Sequence, residues 1–186
     1  VKIAVVTSNP HKAAEVAAFF GPAATVEHIR MEIPEYRHDD VGEIARRKAE
    51  YAFSILQRPL VVDDTAFCIR ALRGFPGPHA AYVLDTIGNQ GILKLMEGVP
   101  DRHAWFETAI ACATREGTTI FRGRIDGVIV APRGRGGFGY DPIFECSNGR
   151  TLAELTLAEK SRVSHRARAL AGMKTWLEEE RSGFHA

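Results

Sequence analysis

The chain has 186 residues, of which 45% are hydrophobic and 25% charged. At roughly 100–200 residues per domain this is one domain, long enough to build a core with no metal or disulfide staple. Lys plus Arg number 24 and Asp plus Glu 23, for a formal charge of +1. That balance excludes the basic excess of a protein that coats a nucleic acid polymer, and a polybasic membrane anchor. No apolar run reaches the roughly 18 residues of a membrane span. Val1–Val6 carries Lys2 and reads as a strand, not as a signal peptide. Cys68, Cys112 and Cys146 are odd in number, widely spaced and without a CxxC. They are expected to be buried apolar groups in a reduced, cytoplasmic setting.

Taken in chain order, the pattern begins as strand, helix, strand, helix, strand. Lys2–Val6 is a short apolar strand, punctuated by Thr7-Ser8-Asn9. Pro10 suits a first helical position, and Ala13, Val16, Ala17 and Phe20 follow at helical spacing until Gly21-Pro22. Thr25–Met31 is a second strand. Val41, Ile44, Ala45, Ala49, Ala52, Phe53 and Leu56 form one helical stripe, ended by Pro59. Leu60-Val61-Val62 is a buried strand that should close on Asp63-Asp64. Gly74-Phe75-Pro76-Gly77-Pro78 is a rigid loop. Short helices are predicted over Ala80–Thr86 and Gln90–Glu97, and long strands over His103–Thr114 and Thr118–Val130. Glu116-Gly117 joins those strands as a hairpin. Arg133–Gly139 is a loop rich in glycine and arginine, and one helix is predicted from Val163 to Glu180. The alternation predicts an α/β fold with a mixed sheet, and a cleft beside the hairpin as the natural ligand site.

Four constellations could carry chemistry. Thr7-Ser8-Asn9-Pro10-His11-Lys12 follows a strand and opens a helix. A helix start attracts phosphate through its free N–H groups, and Lys12 adds a mobile charge, yet Ser8 and Asn9 are equally good helix caps. Asp63-Asp64 at a strand's carboxyl end would sit where α/β sheets bind ligands. Both can serve one metal only if the strand stops there, since successive strand residues face opposite ways. Glu35 and Asp39, after Pro34, could add a carboxylate, and such hard oxygens suit Mg²⁺. Gly136-Gly137-Phe138-Gly139-Tyr140-Asp141-Pro142 lacks the order of a dinucleotide loop. Its aromatics and acid suit stacking on a base instead. Lys160 and Ser164-His165-Arg166 place cations near a helix start, where the dipole favours anions. An acceptor ligand would compensate that placement.

Together these motifs resemble the Ham1-type inosine/xanthosine triphosphate pyrophosphatases. The carrying residues are Thr7-Ser8-Asn9-x-x-Lys12-x-x-Glu15, Val62-Asp63-Asp64-Thr65, Gly74-Phe75-Pro76-Gly77, Gly137-Phe138-Gly139-Tyr140-Asp141-Pro142-Ile143-Phe144 and Ser164-His165-Arg166. Where the family has Ser-Gly-Leu after the aspartate, this chain has Thr65-Ala66-Phe67.

The resemblance implies one domain over 1–186. Its fold would be α/β, a mixed elongated sheet with flanking helices and two lobes around a central nucleotide cleft. It implies hydrolysis of ITP, dITP and XTP to the monophosphate and pyrophosphate, as nucleotide-pool sanitation. It implies Mg²⁺, with Mn²⁺ as a substitute, Mg²⁺-assisted attack of water on the α-phosphate, and a homodimer. By position, Thr7, Ser8, Asn9 and Lys12 would cradle phosphate, and Lys48 would face the triphosphate. Glu35, Asp63 and Asp64 would hold metal, with Asp64 the general base and Thr65 a substrate contact. Phe138, Gly139, Tyr140 and Asp141 would form the base-stacking segment. Lys160, His165 and Arg166 would grip the base, with Arg166 and a protonated His165 as donors to the purine C6 oxygen. The rival readings are a metal-dependent phosphohydrolase for another nucleotide and a non-catalytic nucleotide-binding module.

Overall fold

The structure, a computed structural model, describes residues 1–179. Its centre is one sheet of seven strands in the order β2-β1-β3-β5-β6-β7, with the short β4 paired to β3. β1 (Lys2–Val6) runs parallel to β2 (Thr25–Ile29) and to β3 (Leu60–Ile69). β5 (His103–Thr114) and β6 (Gly117–Ile129) form the long hairpin, and β5 pairs antiparallel with the whole of β3. β4 (Pro76–Gly77) and β7 (Phe144–Glu145) add short antiparallel edges. The sheet is therefore mixed, and the hairpin continues the sheet of the N-terminal strands.

The alternation of each strand sorts its side chains onto two faces. Ala4, Val6, Leu60, Val62, Ala109, Ala111 and Ala113 meet the stripe Val41, Ala45, Ala49 and Ala52 of α2 (Val41–Leu56). Ile3, Val5, Val61, Ile110 and Cys112 meet Val16 and Phe20 of α1 (Pro10–Phe20) on the other face. A third cluster gathers Phe67, Ile69, Phe106, Ile125 and Ile129 under α3 (Ala80–Thr86) and α4 (Gly88–Leu95).

Two expectations give way here. β3 does not close on Asp63-Asp64 but runs on to Ile69, because each residue from Leu60 to Ile69 has a partner on β5. The predicted C-terminal helix is α6 (His165–Glu179), which starts two residues later than expected, and a short helix that was not expected, α5 (Leu157–Val163), precedes it across Ser164. Ser164 is extended, with ψ of 162°, and its Oγ accepts the N–H of Ala167 at 3.0 Å. A helix-starting side-chain bond of this kind explains why α6 begins at His165. Glu180, the expected last residue of that helix, lies outside the described residues.

α6 lies on the hairpin at Gly123. A Cβ there would stand 2.1 Å from the His165 carbonyl oxygen and 2.5 Å from the Ala169 nitrogen, both backbone atoms. Gly123→Ala must push the start of α6 off the sheet, and overpacking of this kind costs about 2 kcal/mol or more. Urea denaturation should show a lower midpoint with an unchanged slope; an unchanged midpoint would contradict this packing.

Candidate active site

The carboxyl end of β1 and the middle of β3 line a cleft of about 580 Å³, a volume usual for small-molecule sites. Its walls include Thr7, Ser8, Asn9, Lys12, Glu35 and Lys48. They also include Asp63, Asp64, Thr65, Phe138, Gly139, Tyr140, Asp141, Lys160, His165 and Arg166. Every residue to which the resemblance gave a site role thus lines one cavity.

The first wall is the turn into α1. Asn9 caps the helix by accepting the His11 N–H at 2.9 Å, and the Thr7 hydroxyl accepts the Asn9 N–H at 3.0 Å. Ser8 is exposed. The capping reading of Asn9 is therefore realised, and it presents the helix start to the cleft. Lys12 reaches across to Asp63, 2.9 Å from its carboxylate and 3.3 Å from its backbone oxygen.

Since β3 continues through the acid pair, Asp63 and Asp64 point to opposite faces. Asp63 turns toward α1 and α6. Its side chain is fully buried, and Arg166 grips it with Nε at 2.5 Å and Nη2 at 3.1 Å. Burial alone would raise its pKa, but Arg166 and Lys12 outweigh burial and hold it well below the carboxylate range. Both oxygens face cations, and the strand turns Asp63 to the face opposite Asp64.

Asp64 turns toward α2. Its carboxylate lies 3.4 Å from the Lys48 ammonium, which also lies 3.3 Å from Glu35. Burial works against the charge on Lys48, yet Asp64 and Glu35 raise its pKa. Burial raises the pKa of Asp64, and the charges of Lys12 and Lys48 only partly offset it. Two carboxylates thus converge on a position already held by a cation. That donor set suits Mg²⁺, which commonly takes one or two carboxylates together with substrate phosphates and water. Among the described residues no cluster of three or more His, Cys, Asp or Glu forms a cage that could hold a metal by itself.

The opposite wall holds the loop before β7. The Phe138 N–H donates to Asp141 at 2.9 Å, and Asn89 donates to the Gly139 carbonyl at 3.0 Å. Tyr140 is 4% exposed, stacks on Phe67 at 4.4 Å, and donates its hydroxyl to the Ala80 carbonyl at 2.5 Å. It anchors the loop to the core, and Phe138 is the aromatic left for a ligand. Thr65 donates or accepts with Thr108 at 2.8 Å and accepts from Arg166 at 3.1 Å.

Lys160, His165 and Arg166 are all buried. Lys160 bonds Asp141 at 2.6 Å and pairs with Glu15, which also pairs with Arg166. Arg166 therefore has bonds to Asp63, Glu15 and Thr65, and most of its donors are committed within the protein. His165 stacks on Phe106 at 4.6 Å. Burial, then the charges of Arg166 and Lys160, lower its pKa well below the ordinary value. The expected protonated His165 is therefore neutral, with one donor and one acceptor nitrogen.

Glu15 is the residue to which the sequence reading gave no role. It is 6% exposed, on the buried face of α1 with Ala13 and Val16. Its signal was its place at the end of the motif Thr7-Ser8-Asn9-x-x-Lys12-x-x-Glu15.

The Ham1 family model matches residues 3–176. The chain is 44% identical to the dITP/XTP pyrophosphatase of Thermococcus kodakarensis, over 96% of this chain and 98% of that one. It is 42% identical to inosine triphosphate pyrophosphatase 1 of Trypanosoma cruzi, over 93% of this chain and 90% of that one. The structure of the Staphylococcus aureus Ham1 protein superposes with a TM-score of 0.83 at 28% identity, over 97% of this chain and all of that one.

The two adjacent acids should separate in a stability measurement. Asp63→Asn leaves buried Arg166 and Lys12 short of a counter-charge, which costs about 3 kcal/mol. Asp64→Asn removes a charge that burial already disfavours, and should change stability by about 1 kcal/mol or less. Equal losses for the two variants in urea would contradict the assignment. The motifs, the matched fold and the shared cleft together place this chain in the Ham1 family.

Proposed function

We propose that the protein hydrolyses the non-canonical purine nucleoside triphosphates ITP, dITP and XTP to the monophosphate and pyrophosphate. The observation that carries this reading is the single cleft. It joins two lysines and two acids to an aromatic loop and a cluster of buried donors. The names of the relatives from Thermococcus kodakarensis and Trypanosoma cruzi support the same substrate class.

On this reading the exposed turn at Ser8 and the ammonium groups of Lys12 and Lys48 take the triphosphate. Glu35 and Asp64 would hold Mg²⁺, with Mn²⁺ as a substitute, to neutralise charge on the phosphates. Asp64 is the general base. Its pKa is raised by burial, and a base closer to neutral accepts a proton from water more readily. Phe138 stacks on the purine ring. His165 lines the same cavity, and Lys160 and Arg166 set a positive field around it. That positive field favours a C6 keto oxygen, which carries partial negative charge, over the partially positive amino group of adenine. The cytoplasmic site of action and the homodimer implied by the resemblance belong to the same proposal.

The test is a panel of ITP, XTP, dITP, ATP and GTP with Mg²⁺, scored for pyrophosphate release. The parent should favour ITP, XTP and dITP, and Asp64→Asn should lose activity by on the order of 10²-fold or more. Release of orthophosphate first, or near-parent turnover by Asp64→Asn, would overturn the reading.

A further inference from the structure

Phe138 is not held by a helix or a strand. It sits between Gly137 at φ 64° and Gly139 at φ 63°, backbone that glycine alone adopts freely. The position of its ring must come from contacts. One of these is the imidazole of His11, stacked on it at 5.0 Å between centroids and 16° between planes. Stacked aromatic rings lie about 4.5–7 Å apart. The two rings are thus in direct contact, with no room for a base between them.

His11 is itself well placed to hold something. Its N–H is bonded by the Asn9 cap, and the next residue, Lys12, is pinned to Asp63. Its side chain is exposed, and among the described residues the imidazole makes no hydrogen bond or ion pair. The stack on Phe138 is what the ring does in this fold. Lys160 and Arg166 also approach Phe138, at 4.8 and 5.9 Å from its centroid, but both are engaged by buried carboxylates.

We propose that His11 is a positioning residue for base binding. Stacked on Phe138, it ties the loop that would carry the purine to the first turn of α1 that would carry the phosphates. This rests on the function proposed above and adds a residue to it. A purine stacks on Phe138 from the cavity that Phe138 lines, beside Lys160, and His11, outside that lining, backs the ring. Phe138 is then ordered before substrate arrives, so binding does not bear the full cost of ordering it. Phosphates that fix the helix start also fix the loop.

The experiment compares the parent with His11→Ala, His11→Tyr, Phe138→Ala and the His11→Ala/Phe138→Ala double variant. For ITP, His11→Ala should lower kcat/KM about three- to tenfold, chiefly through KM, the change that one aromatic pair is worth. His11→Tyr should restore it. Adding His11→Ala to Phe138→Ala should cost little more, since the partner is already gone. A reading independent of turnover is trypsin cleavage after the exposed Arg135 in the same loop. Cleavage should be several-fold faster in His11→Ala and return to the parent rate in His11→Tyr. An unchanged KM, fully additive losses, or an unchanged cleavage rate would overturn the proposal. Failure of the parent to release pyrophosphate from ITP would instead overturn the function, so the two claims fail separately.

Discussion

Asp63 and Arg166 are 103 residues apart in sequence and meet in a buried two-point ion pair. One side of the cleft is arranged about that contact. Asp63 takes Lys12 on its free side, and Arg166 takes Glu15, which in turn takes Lys160, which takes Asp141. Three acids and three bases close into one neutral chain linking α1, β3, the loop of Phe138 and Asp141, α5 and α6. Burying ions is costly, and replacing such a pair with apolar groups often leaves stability unchanged or improves it. What the chain does here is fix position. It sets the start of α6, and with it His165, against the strand that carries Asp64.

The strand supplies the second constraint. Because β3 runs unbroken past the acid pair, alternation forces its two aspartates apart. One becomes a buried counter-charge whose carboxyl stays ionised. The other faces Lys48 across the cleft and has its pKa raised by burial. Neighbours in sequence thus acquire opposite electrostatic characters from geometry alone. Thr65-Ala66-Phe67, where the family has Ser-Gly-Leu, fits the same strand. Ala66 pairs in register with Glu107, and Phe67 stacks under Tyr140.

Much of this was legible in the residues. The helix of α2 and the hairpin were written in clear apolar periodicity, and the residues of the cleft stood out as motifs. The short α5 before Ser164 was not legible, because its seven residues are too few to show an apolar period. Nor was the continuation of β3, since two adjacent acids look like a strand's end until β5 is seen beside them. Neutral His165 was missed for a similar reason. Its charge is set by Arg166, its neighbour in sequence, together with burial and Lys160, which only the fold brings to bear. Glu15 stood in the motif with Lys12, but its role did not show, because its partners Lys160 and Arg166 are brought to it only by the fold.

The central claim is that this cleft sets a purine triphosphate for attack at its α-phosphate. It is tested most directly by turning over ITP in water enriched in ¹⁸O and weighing both products by mass spectrometry. The account predicts one ¹⁸O in the nucleoside monophosphate and none in the pyrophosphate. Label in the pyrophosphate would place the attack on the β-phosphate and contradict it.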